Sequence, residues 1–329
     1  MRPKILFVID TLEVGGAERS LLDILPRLRE HEPLLCYLYA GGALEEKYRE
    51  AGIRVISVGL SGKYDFLRGV LALRQLIKSE GVSLVVTTLF RSDIVGRIAA
   101  ASLGVPVISS LVNDTYASVR LKRMGVVRRA KHAGLWLADL ITVRLCSALI
   151  ANSEAIARTN ASALRLKMGR IHVIYRGRSP EKFYPADSDQ TVARRLRLGD
   201  GACVLVCVAR MEDRKGHLLL LDAVSILIAK HPRIKLKLVG DGPFRSQVEE
   251  RCKLLDLQDV VEFLGTRQDV AELLRDADVF VSASEYEGLP GAAVEAMLTG
   301  IPVALSDMPV HREMIGSGSA GILFRSDAG

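Results

Sequence analysis

Aromatic residues are scarce in this 329-residue chain: eight Tyr, eight Phe and one Trp amount to 5% of it. Proteins that hold single-stranded nucleic acid combine basic grooves with aromatic stacking platforms, and no such platform accompanies the basic stretches here. Nucleic acid is therefore not an expected partner. Cysteine is equally uninformative: Cys36, Cys146, Cys203, Cys207 and Cys252 form an odd, scattered set without a CxxC pair. That pattern argues against a disulfide framework or a zinc site and fits a reducing compartment. No GxGxxG follows any apolar run, which disfavours a nicotinamide-dependent dehydrogenase. The longest nearly apolar stretch, residues 134–151, is interrupted by Asp139 and Arg144, so no membrane-spanning helix is expected. The apolar run Ile5 to Ile9 is too short for a signal peptide. A cytoplasmic protein, soluble or peripheral on the inner face of the plasma membrane, is the expectation.

What is present is alternation. Short apolar runs alternate with helical patterns along the whole chain, the signature of parallel sheets covered by helices. Strands are expected at residues 5–9, 34–39, 55–58, 84–88, 105–109, 148–152 and 172–175, then at 204–208, 235–239, 260–263, 279–282 and 303–305. The length suits two domains, and the Pro- and Gly-rich segment 175–186 is the natural hinge. The boundary is placed between residues 185 and 186. Each half reads as a doubly wound Rossmann-like sheet, with a ligand crevice expected between the halves at the carboxyl ends of the strands.

Net charge is +7, but the halves differ in sign. Residues 1–185 carry 28 Lys and Arg against 16 Asp and Glu, or +12, whereas residues 186–329 carry 17 against 22, or −5. Six cations, Arg120, Lys122, Arg123, Arg128, Arg129 and Lys131, fall within twelve residues and interleave with apolar side chains. A basic amphipathic segment of this kind, residues 119–131, reads as binding an anionic membrane surface. A plain solvated helix face is the competing reading.

Candidate motifs all follow strands. After the first comes a turn with Gly15 and Gly16, where backbone N–H groups can approach a ligand and a helix N-terminus favours an anion. After the run 204–208 come Arg210 and Lys215, a planar fork and a point charge that could clamp a diphosphate without a metal. Gly240-Asp241-Gly242-Pro243 closes another strand, with Pro243 expected to start the next helix, and Gly265-Thr266 closes the next, where it could edge a nucleobase. Finally Glu287, Gly288 and Leu289 lead from the strand 279–282 into a helix expected to hold Pro290 in its first turn, whose free N–H groups make an anion site. Carboxylates are repelled by phosphate, so Glu287 and Glu295 are expected to hold hydroxyls. Glu295, one turn into the helix, leans back toward its start and toward a ribose.

Taken together these residues resemble the retaining glycosyltransferases of the GT-B fold, within glycosyltransferase family 4. The resemblance runs from Gly15-Gly16-Ala17-Glu18 through Asn152-Ser153-Glu154, Arg210, Lys215-Gly216 and Gly240-Asp241-Gly242-Pro243 to Glu287 and Glu295 with Gly300-Ile301-Pro302. It implies two facing Rossmann-like domains, the first for the acceptor and the second for a UDP-sugar or GDP-sugar, with no required cofactor or metal. It further implies that Arg210 and Lys215 neutralise the diphosphate, that Glu295 holds the ribose and Glu287 the donor sugar, and that Leu289 and Pro290 lie along the phosphate path. The expected activity is retaining hexosyl transfer to a glycan or lipid-linked acceptor, in cell-envelope polysaccharide or glycolipid synthesis. Two departures stand out. Where many members have a histidine near the reacting sugar, this chain has Leu111-Val112-Asn113-Asp114-Thr115, leaving Asn113 as the candidate. The C-terminal domain is also expected to lack the family's final helices. Both keep in view an alternative, a non-catalytic subunit that binds sugar nucleotide or glycan.

Overall fold

The computed structural model describes residues 2–62, 64–122, 125–187, 202–316, 318 and 320–325. The chain divides into two units, Met1–Arg176 and Gly177–Gly329.

The first unit runs β1 (Lys4–Ile9), α1 (Gly16–Ile24), β2 (Glu32–Tyr39), α2 (Glu45–Glu50), β3 (Arg54–Leu60), α3 (Phe66–Glu80), β4 (Leu84–Thr88), α4 (Phe90–Ala101), β5 (Val107–Leu111), α5 (Ser118–Lys122), α6 (Val126–Thr142), β6 (Ala148–Ala151), α7 (Glu154–Ala163) and β7 (Ile171–Val173). Its seven strands order as β3-β2-β1-β4-β5-β6-β7, and every pairing is parallel. Such a sheet is buried on both faces, which is why its strands read as nearly continuous apolar runs. On β1, Ile5, Phe7 and Ile9 pack with Leu21, Leu25 and Tyr48 on one face, while Leu6 and Val8 pack with Leu73, Ile77 and Val95 on the other. Each such side chain contributes roughly 1.5–3 kcal/mol by leaving water.

Buried charges are embedded in this unit, and Arg97 anchors one group of them. Arg97 on α4 is fully buried, donates Nε to the Ser109 hydroxyl at 2.8 Å and pairs with Asp139 of α6. Asp139 also accepts the Tyr116 hydroxyl from the loop after β5. The inner face of α6 is thereby fixed, and Val127, Leu137 and Ile141 are left at the surface, 70%, 50% and 60% exposed. Arg129 and Lys131 are exposed on the same helix. Of the basic segment, residues 123 and 124 and the side chains of Lys122, Val126 and Arg128 lie outside the described residues.

The second unit runs β8 (Cys203–Val208), α8 (His217–Ile228), β9 (Ile234–Val239), α9 (Arg245–Leu254), β10 (Val261–Gly265), α10 (Val270–Asp276), β11 (Val279–Ser282), α11 (Gly291–Leu298), β12 (Val303–Ser306), α12 (Pro309–Ile315) and β13 (Gly321–Phe324). Its strand order is β10-β9-β8-β11-β12-β13, again parallel throughout. Both sheets are doubly wound, as expected. Two details differ from the sequence reading. The strand β13 was not anticipated, because four apolar or glycine residues after a Gly- and Ser-rich stretch carry too little pattern. Pro243 does not start α9, which opens two residues later at Arg245.

Candidate functional site

Chain order reverses at one place in each sheet, between β1 and β4 in the first unit and between β8 and β11 in the second. Connections leaving adjacent strands on either side of such a switch run to opposite faces, and the crevice between them is where doubly wound sheets bind ligands. The loops after β1, β8 and β11 flank these switch points, whereas Asn113 follows β5 and the Gly240 and Gly265 turns follow β9 and β10. In the second unit the loop carrying Arg210 and Lys215 follows β8 and the loop carrying Glu287 follows β11, and these strands are hydrogen-bonded neighbours.

The two loops are tied closely. The Glu285 N–H donates to the Arg214 carbonyl at 2.9 Å. Gly216, at φ 68°, closes the short 3-10 turn Asp213–Lys215 and opens α8. A Cβ there would overlap the Ala283 carbonyl, so the approach of the loops depends on glycine. Gly240, at φ 133°, serves the same purpose beside the Ala209 carbonyl.

Between these loops lies an ion cluster. Lys215 Nζ pairs with Glu287 Oε1, and Arg214 Nη1 reaches Glu287 Oε2 at 3.2 Å. Lys215, Arg214 and Glu287 are 14%, 29% and 11% exposed. Arg214 also lies over the Tyr286 ring, 5.4 Å from its centroid. Burial alone would raise the Glu287 carboxyl, but the adjacent Lys215 and Arg214 charges and the hydrogen bonds from Lys215 and Ser284 outweigh it and bring the group down to about 2. Glu287 is thus a fixed anion flanked by two cations.

Two buried histidines back this cluster. His217, at the start of α8, is pushed by burial, and by the charge of Lys215, down to about 4. His311 on α12 is likewise kept neutral chiefly by burial. Its Nδ1 lies 2.7 Å from the Ser306 carbonyl, and the Ser306 hydroxyl donates to the Ser284 carbonyl. Ser284 in turn bonds Glu287, so a chain of polar groups links α12 to the site carboxylate.

The other expected residues fall as follows. Arg210 is 58% exposed and contacts Glu212 at 3.4 Å. Leu289 precedes Pro290, which is the N-cap of α11 at φ −70° rather than its first residue. Glu295 is buried in α11 and accepts Arg178 Nε at 2.7 Å. Gly265, at φ 61°, ends β10, and Thr266 follows it, exposed. In the first unit Gly15 is the N-cap of α1 and Gly16 its first residue. Asn113 is exposed in the loop after β5. Beside it burial raises the Asp114 carboxyl to about 6, against the opposing charge of Arg120.

Sequence reasoning expected carboxylates facing only hydroxyls. The structure instead gives each of them a cation, and two of those cations, Arg214 and Arg178, were not anticipated. Arg214 carried a local signal, since it adjoins Lys215. Arg178 carried none, for its partner lies 117 positions away.

Comparison with known proteins places the chain among sugar-transferring enzymes. Residues 14–182 match the family model described as Glycosyltransferase Family 4, and residues 189–328 match that of Glycosyl transferases group 1. The Bacillus subtilis protein EpsF, named as a glycosyltransferase, is 29% identical over 325 residues, covering 96% of this chain and 82% of EpsF. The Escherichia coli enzyme named UDP-Gal:alpha-D-GlcNAc-diphosphoundecaprenol alpha-1,3-galactosyltransferase is 28% identical over 247 residues, 74% of this chain but 62% of that enzyme. Among solved structures, Anabaena HepE in complex with UDP and glucose superposes with a TM-score of 0.82 at 24% identity, over 98% of this chain and 86% of that one.

Proposed function

Because the chain belongs to Glycosyltransferase Family 4 and folds as a GT-B glycosyltransferase, we propose that it is a retaining enzyme taking a hexose from a UDP-sugar or GDP-sugar. The observation that carries this reading is the cluster at the switch point of the second unit, where Lys215 and Arg214 flank Glu287 beside the start of α11. That is a place for an anion bordered by a fixed acceptor of hydroxyl protons. UDP in solved relatives supports a nucleoside diphosphate in this role.

In the proposed reaction the bond between the sugar C1 and the diphosphate oxygen breaks, and the electron pair leaves with the nucleoside diphosphate. The acceptor oxygen bonds C1 on the face the leaving group vacates, and its proton passes to the departing phosphate. Lys215 and Arg210 neutralise the charge that develops on the diphosphate. Two cations serve that task here, so no metal is assigned to it. Leu289, Pro290 and the α11 N–H groups line the phosphate path. Glu287 accepts hydrogen bonds from the donor sugar and Glu295 from the ribose, with Gly240, Gly265 and Thr266 at the edge of the nucleotide. The first unit takes the acceptor; Gly15 and Gly16 offer backbone N–H groups to the donor, and Asn113 is the catalytic candidate near the reacting sugar.

For the acceptor we propose a glycan or lipid-linked saccharide of cell-envelope polysaccharide or glycolipid synthesis; the E. coli relative is named for a lipid-linked saccharide, GlcNAc-diphosphoundecaprenol. The exposed apolar and basic face of α6 supports work at the cytoplasmic surface of an anionic membrane. Among the described residues no helix is long and apolar enough to cross one. Release of nucleoside diphosphate from UDP- and GDP-sugars, compared between wild type and Glu287→Ala, tests the assignment. If neither donor binds, the reading fails.

A further inference from the structure

Behind the Glu287 carboxylate lies a series of polar groups to which the proposed reaction assigns no task. His311 on α12, Ser306 at the end of β12 and Ser284 after β11 are all buried. His311 Nδ1 lies 2.7 Å from the Ser306 carbonyl oxygen and 3.3 Å from the Ser306 hydroxyl. The Ser306 hydroxyl donates to the Ser284 carbonyl. The Ser282 hydroxyl donates to Ser284 Oγ at 3.3 Å, and the Ser284 hydroxyl donates to Glu287.

The tautomer of His311 sets the direction of this series. An unprotonated Nδ1 would meet the Ser306 carbonyl lone pair to lone pair. The ring proton would then sit on Nε2, which has no hydrogen-bond partner among the described residues, and a buried N–H without a partner is heavily penalised. Burial also keeps the ring from holding both protons. What remains is a neutral ring protonated on Nδ1. Its proton occupies the Ser306 oxygens, so the Ser306 hydroxyl proton turns to Ser284. Ser284 Oγ already accepts from Ser282, so its own proton turns to the carboxylate. Every donor points the same way, toward Glu287.

A carboxylate offers about four lone-pair positions. Among the described residues Lys215, Arg214 and Ser284 fill three of those on Glu287, which leaves room for a hydroxyl from a ligand. The long Lys and Arg side chains have the rotamer freedom to follow a turning carboxylate, whereas the short Ser284 side chain is held by its backbone. We infer that His311 is a positioning residue for the donor sugar: through Ser306 and the backbone of Ser284 it holds the Glu287 carboxylate in the orientation from which it accepts the sugar's hydroxyls. This role rests on the donor reading above and adds a side chain that lies outside every motif loop and touches no ligand.

Two ligands, titrated calorimetrically into the full chain, test it: the UDP- or GDP-sugar that wild type turns over fastest, and the nucleoside diphosphate which that donor releases. The ratio of their affinities isolates the grip on the sugar. His311→Gln carries its amide at the Nε2 position and loses the Nδ1 donor. The ratio should fall about tenfold, what one hydrogen bond to a charged group is worth, with the affinity for nucleoside diphosphate within twofold of wild type. His311→Asn places its amide where Nδ1 was and should recover most of the loss. Ser306→Ala breaks the series with the histidine still in the chain; it should lower the ratio as well, and it provides the readout if His311→Gln folds poorly. A ratio within twofold of wild type in both His311→Gln and Ser306→Ala, or a loss shared equally by the two ligands, would overturn the positioning role and leave the donor reading standing. A wild type that binds neither UDP- nor GDP-sugars would overturn the donor reading itself, and the positioning role with it.

Discussion

Lys215 Nζ and Glu287 Oε1 form an ion pair across 72 positions of sequence, one of the contacts that join the loops after β8 and β11. Both side chains are nearly buried, so neither charge is well hydrated if the other is removed. Lys215→Ala or Glu287→Ala should lower stability by roughly 3–5 kcal/mol, the penalty of leaving a buried charge unpaired. Lys215→Met combined with Glu287→Leu should lower it by less than the two single changes summed. All three should lack transfer activity. Urea denaturation measures the first effect and diphosphate release the second; single variants within about 1 kcal/mol of wild type would show the pair to be incidental.

Acid should act in two separable steps. His217 is neutral in the folded state, with a pKa held down to about 4 against an ordinary 6.5. The unfolded chain binds this proton first, so stability falls as pH drops from 6.5 toward 4. The effect is on the order of 3 kcal/mol at about 1.4 kcal/mol per pH unit. Glu287 is held at about 2 against 4.5. Its contribution is complete above pH 4.5 and is lost only as pH falls from 4.5 to about 2. Thermal denaturation across pH 2–8 should show the upper step flattened in His217→Asn and the lower one in Glu287→Gln.

Glycine substitutions should separate fold from ligand. Gly240→Ala places a Cβ against the Ala209 carbonyl at a φ of 133°, so it should reduce stability by about 2 kcal/mol or more and weaken donor binding. Gly16 has open space around its Cβ position, so Gly16→Ala should fold normally. Any rise in donor KM in that variant, without change in Tm, reports the ligand approaching this backbone.

The outer face of α6 should bind anionic vesicles in a salt-sensitive manner. Arg129→Glu with Lys131→Glu should remove the salt-sensitive part, at about 1 kcal/mol per cation. Leu137→Ser with Ile141→Ser should weaken what remains at high salt. Equal binding to neutral and anionic vesicles would count against the membrane reading.

The fold was legible because its signals are local. A strand buried on both faces writes an apolar run, as Val279 to Ser282 does, and glycine marks turns such as Gly240 and Gly265 that need positive φ. Element boundaries moved by at most two residues, since helix and strand ends depend on caps and neighbours. The site was legible as a set of loops and illegible as a set of contacts. Arg210, read as a clamp, is mostly exposed, while the neighbouring Arg214 takes the buried place beside Glu287. Spacing along a loop of irregular dihedrals does not say which of two arginines turns inward.

The sequence by itself determined the two parallel sheets, the loops that follow their strands and the sign of charge on each half, because hydrophobic period, glycine and charge act within a few residues. Only the tertiary structure decided the partners: Lys215 and Arg214 for Glu287, Arg178 for Glu295, Asp139 for Arg97. Pairing across 42 to 117 positions follows from how sheets stack their crossovers, and a buried carboxylate takes whichever cation that stacking brings within reach.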